Sequence, residues 1–163
     1  MFARFSIADY EYQAGHREEA VNMSREAYRI AEEEGNKANL AEAMLFLAKM
    51  LEKTGDLEGA YHIYELRGQR SAIAGANYQR WHEDLNFRCG IRLKQGRAKE
   101  ALVLAQELWS KEFESPEARK DTEHLRDVAA LALRCYDALK KQDPAVPAPV
   151  ELVEWEQLRK GKR

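Results

Sequence analysis

Three glycines set the frame for this chain: Gly15, Gly55 and Gly96 lie 40 and 41 residues apart. Five residues after each comes an alanine, Ala20, Ala60 and Ala101, and seven residues before each comes a small side chain, Ala8, Ala48 and Cys89. Apolar residues recur at fixed offsets from the alanines, as Val21, Tyr61 and Leu102 and as Met23, Ile63 and Leu104. The small-residue spacing continues to Ala130, with no fourth glycine behind it. A glycine between two periodic segments ends a helix by adopting the left-handed conformation at low steric cost. Small side chains let two helix backbones approach, and apolar residues three and four apart form the packing stripe. Asp56, directly after Gly55, is placed to cap the next helix. Each unit therefore reads as helix, tight turn, helix, and a repeat of such units is expected to stack.

These residues resemble the tetratricopeptide repeat, in which a small residue on helix A, a glycine at the turn and alanines on helix B recur. The matching sets are Ala8-Gly15-Ala20-Ala27, Ala48-Gly55-Ala60 and Cys89-Gly96-Ala101. The period of 40 to 41 residues exceeds the usual value of about 34. It fits the longer variety found in bacterial regulatory proteins and in kinesin light chains. Arg67 and Leu108 stand where a second alanine is common, and Arg88 and Arg92 stand on helix A where apolar residues are usual. The resemblance implies an all-α fold, a right-handed α-solenoid of about three antiparallel helical hairpins followed by a C-terminal helix.

Composition agrees with helices that have one wet face. Apolar residues make up 45% of the chain and charged residues 33%, while glycine and proline are too few for a disordered chain. No run of β-branched residues alternates with period two, so no strand is expected. Helices are expected over 2–14, 17–34, 38–53, 57–74, 77–95, 98–113 and 116–141. Gly35-Asn36 stops the second, Gly75 breaks the chain after the fourth, and Ser115-Pro116-Glu117 is a helix-start signal. Residues 1–143 form the repeat domain. Residues 144–149, with Pro144, Pro147 and Pro149, form a stiff extended linker.

Residues 150–163 form a short amphipathic helix and a basic tail. The apolar residues Leu152, Trp155 and Leu158 suit docking or self-association. A helix this short is not stable alone in water, so it is expected to dock on its own array, on a second copy or on a following domain. Docking on its own array would cap the open end of the stack.

The sequence excludes several function classes. A net charge of −2 argues against a dedicated nucleic-acid binder, although basic and aromatic residues interleave at Arg80-Trp81, Phe87-Arg88 and Arg92. The basic cluster Arg159, Lys160, Lys162 and Arg163 reads as a solvated tail. The two cysteines, Cys89 and Cys135, sit inside helical patterns as small buried hydrophobes, consistent with a reducing compartment. No signal peptide or membrane span is read from the sequence, and a cytoplasmic location is expected. His82-Glu83 opens like a zinc-protease helix, but position 86 is asparagine. The histidines are scattered and no phosphate loop exists, so no catalytic residue, metal or cofactor is expected and the chain is not expected to be an enzyme. An enzyme using His82, Glu83 and Cys89 is the most distant alternative.

What the resemblance implies for function is a protein or peptide ligand held along the helix-A surfaces. Carried over by register, the groove positions are Phe5, Asp9 and Tyr12, then Leu45, Lys49, Glu52 and Lys53, then Asn86, Gly90, Leu93 and Lys94. The mixture suits a peptide ligand, with apolar anchors and lysines for acidic groups. The family's carboxylate clamp is not matched in order. An adaptor or regulator is the leading expectation. The alternatives are a self-associating structural module, forming a homo-oligomer through Trp155 and its neighbours, and a small chaperone for a secreted or unfolded partner.

Overall fold

The computed structural model describes residues 2–73, 78–114 and 122–161. The described residues form eight helices and no strand: α1 (Phe2–Gln13), α2 (Arg17–Glu33), α3 (Lys37–Thr54), α4 (Leu57–Ile73), α5 (Tyr78–Lys94), α6 (Ala98–Glu114), α7 (Thr122–Gln142) and α8 (Leu152–Arg159). The expected helices are all present, with ends that agree to within two residues wherever they are described. The start signal at Ser115-Pro116-Glu117 and the break at Gly75 lie outside the described residues.

The three repeat glycines make the same turn three times. Their φ angles are 90°, 94° and 72° at Gly15, Gly55 and Gly96, the left-handed region. In each, the glycine N–H donates three residues back, to Tyr12, Glu52 and Leu93, at 3.1, 3.2 and 3.0 Å. The following N–H donates five residues back, to Glu11, Leu51 and Arg92, at 2.9, 2.9 and 2.8 Å. These paired hydrogen bonds satisfy the last carbonyls of helix A, and only glycine adopts the conformation without strain. Asp56 caps α4 as expected, its Oδ1 accepting from Gly59 N–H at 2.9 Å. Asn36 caps α3, its Oδ1 accepting from Ala38 and Asn39 N–H at 3.0 and 3.1 Å.

The small residues of the repeat are the points of closest packing. Ala8, Ala48 and Cys89 on the A helices and Ala20, Ala60 and Ala101 on the B helices are all fully buried. The fourth unit breaks this register. Ala130 is exposed, and its neighbour Ala129 is fully buried in its place. No glycine follows Ala130 at the repeat spacing, where Tyr136 and Asp137 continue α7, so the turn that sets the register of the first three units is missing.

The chain divides into two compact units, Met1–Asp84 and Leu85–Arg163, with the boundary inside α5. In the first, α1 packs on α2, α2 on α3 and α3 on α4. Met44, Leu47, Met50, Leu51 and Tyr64 join the alanines in its core. Arg70 of α4 bridges to Glu32 of α2 at 2.9 Å, which holds the Glu32 carboxyl below the usual range.

In the second unit α6 packs on α7 and α7 on α8. Leu108, Trp109, Val128, Leu133 and Tyr136 fill the space between them. The linker is not extended throughout. Asp143 makes a turn, its Oδ1 accepting from Ala145 N–H at 3.0 Å and its carbonyl from Val146 N–H at 3.1 Å. The cause is local: an aspartate before proline favours a turn over continued polyproline geometry. The turn brings the chain back along α7, and α8 docks there. Trp155 is fully buried and meets Trp109 of α6 edge-on, with ring centroids 6.1 Å apart. Among the three docking targets open to the amphipathic segment, it takes its own array.

Candidate partner-binding surfaces

In Met1–Asp84 three of the expected groove residues, Asp9, Tyr12 and Lys53, meet between the A helices α1 and α3. Phe5 stacks on Phe46 with centroids 4.3 Å apart and planes inclined by 18°. One turn along α1, Asp9 pairs with Lys53 at 2.8 Å. One turn further, the Tyr12 hydroxyl donates to the Lys53 carbonyl at 3.2 Å. The Lys53 ammonium lies 5.4 Å from the centre of the Tyr12 ring. Phe5, Asp9 and Tyr12 are spaced by four and three, so one stripe of α1 meets one stripe of α3. Lys49 is exposed and Leu45 half-buried on that stripe.

Two residues act differently from their expected roles. The register offers Lys53 to a ligand's acidic group, but it is already engaged by Asp9 and Tyr12. Both members of its ion pair are partly exposed, so solvent weakens the pair. Glu52 is half-buried, and its charge is one of those that act on the hydroxyl of the buried Tyr64. Burial pushes the Tyr64 hydroxyl well above its ordinary value, and the charges of Glu52 and Asp84 add to that. Phe46, the stacking partner of Phe5, is a residue that sequence reasoning missed. Its signal was present, an aromatic residue beside Leu45 in the groove register.

In Leu85–Arg163 the expected positions fall on α5. Asn86 and Lys94 are exposed, and Gly90 and Leu93 are half-buried. Asn86 and Leu93 are two turns apart and share a helix face. On α8, Leu152 and Leu158 are half-buried beside the enclosed Trp155. These residues cap the second unit, and the apolar side chains turned outward at this end of the chain are Val150, 91% exposed, and Val153, 63% exposed. A concavity of about 520 Å³ lies against α7, with Leu133, Arg134, Ala138 and Lys141 of α7 and Arg159 of α8 in its lining.

Two of the departures from the repeat pattern, Arg67 and Arg92, are explained by pairing. Arg67, in place of the second alanine, is buried, and its Nη1 donates to the buried Asp84 at 2.6 Å while its Nε donates to the Ala41 carbonyl at 3.1 Å. Arg92 is also buried and reaches Glu100 at 3.3 Å and Gln95 at 2.7 Å. Both arginines are internal struts, and neither is presented to a ligand. Of the residues in the enzymatic alternative, Glu83 lies 3.6 Å from Arg67, and Cys89 is fully buried against Cys135. His124 pairs with the buried Glu112 at 3.0 Å, a contact between α6 and α7 that nothing in the sequence spacing announced. Among the described residues no helix is long and apolar enough to cross a membrane.

No family model matches the chain, and no curated protein matches it. Solved structures do. One is that of Podosopora anserina putative kinesin light chain nearly identical TPR-like repeats, with 13% identity, a TM-score of 0.56, and coverage of 96% of this chain and 82% of that one. A single-substitution form of the same protein gives 15% identity and a TM-score of 0.57 over 98% of this chain and 86% of that one. At this identity the likeness speaks for the fold. Three identical glycine turns, six buried small residues and alignment over nearly the whole chain agree that this is an all-α, TPR-like array of antiparallel helical hairpins.

Proposed function

We propose that the chain is a non-enzymatic binding module that holds a protein or peptide ligand along the A-helix surfaces of its repeats. The observation that carries this reading is the α1–α3 surface, where Phe5, Phe46 and Tyr12 line up beside the exposed Lys49. Rigid aromatic area next to a cationic rim suits an extended or helical segment with an apolar anchor and an acidic neighbour. The internal ties of Lys53 to Asp9 and Tyr12 keep that surface pre-formed, which lowers the ordering cost of binding. Its role would be that of an adaptor or regulator in the cytoplasm.

The test is a pull-down from the source organism's lysate with the native chain and with a Lys49→Glu/Lys94→Glu variant. Both positions are exposed, so the variant is expected to keep its helicity by circular dichroism. A partner held by the native chain and weakened tenfold or more in the variant supports the reading. Equal retention by both chains removes the A-helix surface as the site.

A further inference from the structure

Cys89 and Cys135 hold their Sγ atoms 3.2 Å apart. Both side chains are fully buried, and both lie in the unit Leu85–Arg163, on α5 and α7. The arrangement is directional. Cys89 donates to the Ala101 carbonyl at 3.3 Å, which leaves the Cys135 S–H to donate to the Cys89 sulfur. That hydrogen bond, helped by the charge of Arg134, pulls the Cys89 thiol below its ordinary value against the opposing effect of burial. The same hydrogen bond, with burial, pushes Cys135 far up. The two thiols are therefore unequal, one prepared as a nucleophile and the other as its proton-bearing partner.

We propose that Cys89 and Cys135 form a reversible oxidation site at which a small hydroperoxide converts the two thiols into a disulfide tying α5 to α7. A disulfide needs the sulfurs at about 2.05 Å, roughly 1 Å closer than they stand now. That shift is within the play of two packed helices. The full burial of both residues excludes a bulky disulfide such as oxidised glutathione from the folded chain. Hydrogen peroxide is little larger than water and reaches the pair through local opening. A concavity lined by Arg134 lies against the helix that carries Cys135.

The chemistry balances in two steps. The Cys89 thiolate attacks one peroxide oxygen, the O–O bond breaks, and hydroxide leaves and takes up the released proton as water. Cys89 is then a sulfenic acid. The Cys135 sulfur attacks the Cys89 sulfur, the S–O bond breaks, and the Cys135 proton leaves with the hydroxyl as a second water. The two thiols lose two electrons and hydrogen peroxide is reduced to two waters. A dithiol reductant returns the pair to its starting state.

The experiment uses the full chain, reduced, desalted and exposed to hydrogen peroxide while folded, then alkylated with iodoacetamide in denaturant and analysed by mass spectrometry. The expected product has lost two hydrogens, resists alkylation, and yields one linked peptide pair containing Cys89 and Cys135. Its melting temperature is raised by several degrees, and dithiothreitol reverses every change. Oxidised glutathione at the same concentration leaves the folded chain alkylatable. In Cys135→Ala, oxidation is slower, for want of the hydrogen bond to Cys89, and stops at a Cys89 sulfenic acid that dimedone traps once the chain is opened in denaturant. Should that variant not fold, the product of the native chain decides alone. Two alkylatable thiols after peroxide, a sulfinic acid at Cys89, or a cross-link between chains would each overturn the proposal.

Discussion

A buried arginine in a helical repeat carries a cost that only its partners offset. Arg67 occupies a position where the repeat pattern favours a small residue, and it is enclosed with Asp84 rather than turned to solvent. Cutting back one member leaves the other charge buried and unpaired, so Arg67→Ala is expected to lower stability by about 3–5 kcal/mol, while the double change to well-packed apolar residues costs much less. Urea unfolding of the single and double variants checks the difference. Nearby, Tyr64 is fully enclosed and its hydroxyl is raised above its ordinary value by burial first and by the neighbouring carboxylates second. An acid whose value is raised on folding favours its neutral form in the native state. Its contribution is therefore fully present below the unfolded tyrosine value of about 10 and is lost as pH rises above that. Tyr64→Phe is expected to flatten the fall in stability between about pH 10 and 11.5, and melting curves across that interval would show whether the native chain and the variant converge or run parallel.

At the level of the elements, much was legible because the signals were local. A glycine at a helix end, a capping aspartate and a four-residue apolar rhythm each act within one turn, and the helices from α1 to α4 followed from them almost to the residue. The surface formed by α1 and α3 was legible only through the repeat register, which named Phe5, Asp9 and Tyr12 in the first unit and Lys49 and Lys53 in the second as groove positions. What was not legible depends on pairs distant in sequence. The contacts of Arg67 with Asp84, of Glu112 with His124 and of Cys89 with Cys135 join different helices, and a single sequence has no local rule for which charge or thiol meets which. The exposed Ala130 shows the limit of the register itself, since spacing alone named it and packing chose Ala129. The turns are testable as elements. Gly55 sits at φ 94°, where a Cβ costs about 1–2 kcal/mol, so Gly55→Ala is expected to destabilise the chain by that amount. Asp56→Ala, which removes the cap on Gly59 N–H, is expected to cost about 1 kcal/mol. Denaturant midpoints of the two single variants measure both, and an unchanged midpoint for Gly55→Ala would mean that the turn is not held in the left-handed form.

Over the whole molecule, a repeat array has no single central core, and each helix is stabilised by its immediate neighbours. The consequence is that an end must be closed by something polar outside and apolar inside. The segment from the linker through α8 does this for Leu85–Arg163: Trp155 enters between α6 and α7, and charged residues such as Glu154 and Arg159 face outward. Its indole N–H has no hydrogen-bond partner among the described residues, so apolar packing alone holds the ring in place. Trp155→Ala is accordingly expected to cost about 3–5 kcal/mol, and deletion of residues 144–163 at least as much. Nearest-neighbour coupling also fixes where the loss is felt. Amide hydrogen exchange in the deletion variant is expected to accelerate in α6 and α7, which contact the missing segment, and to stay unchanged in α1, α2 and α3 of the first unit. Light scattering is expected to show the same oligomeric state before and after deletion, because the buried Trp155 is an internal closure. A loss of oligomer with no change in exchange would instead assign the segment to self-association, and a uniform acceleration through all helices would mean that the two units unfold as one.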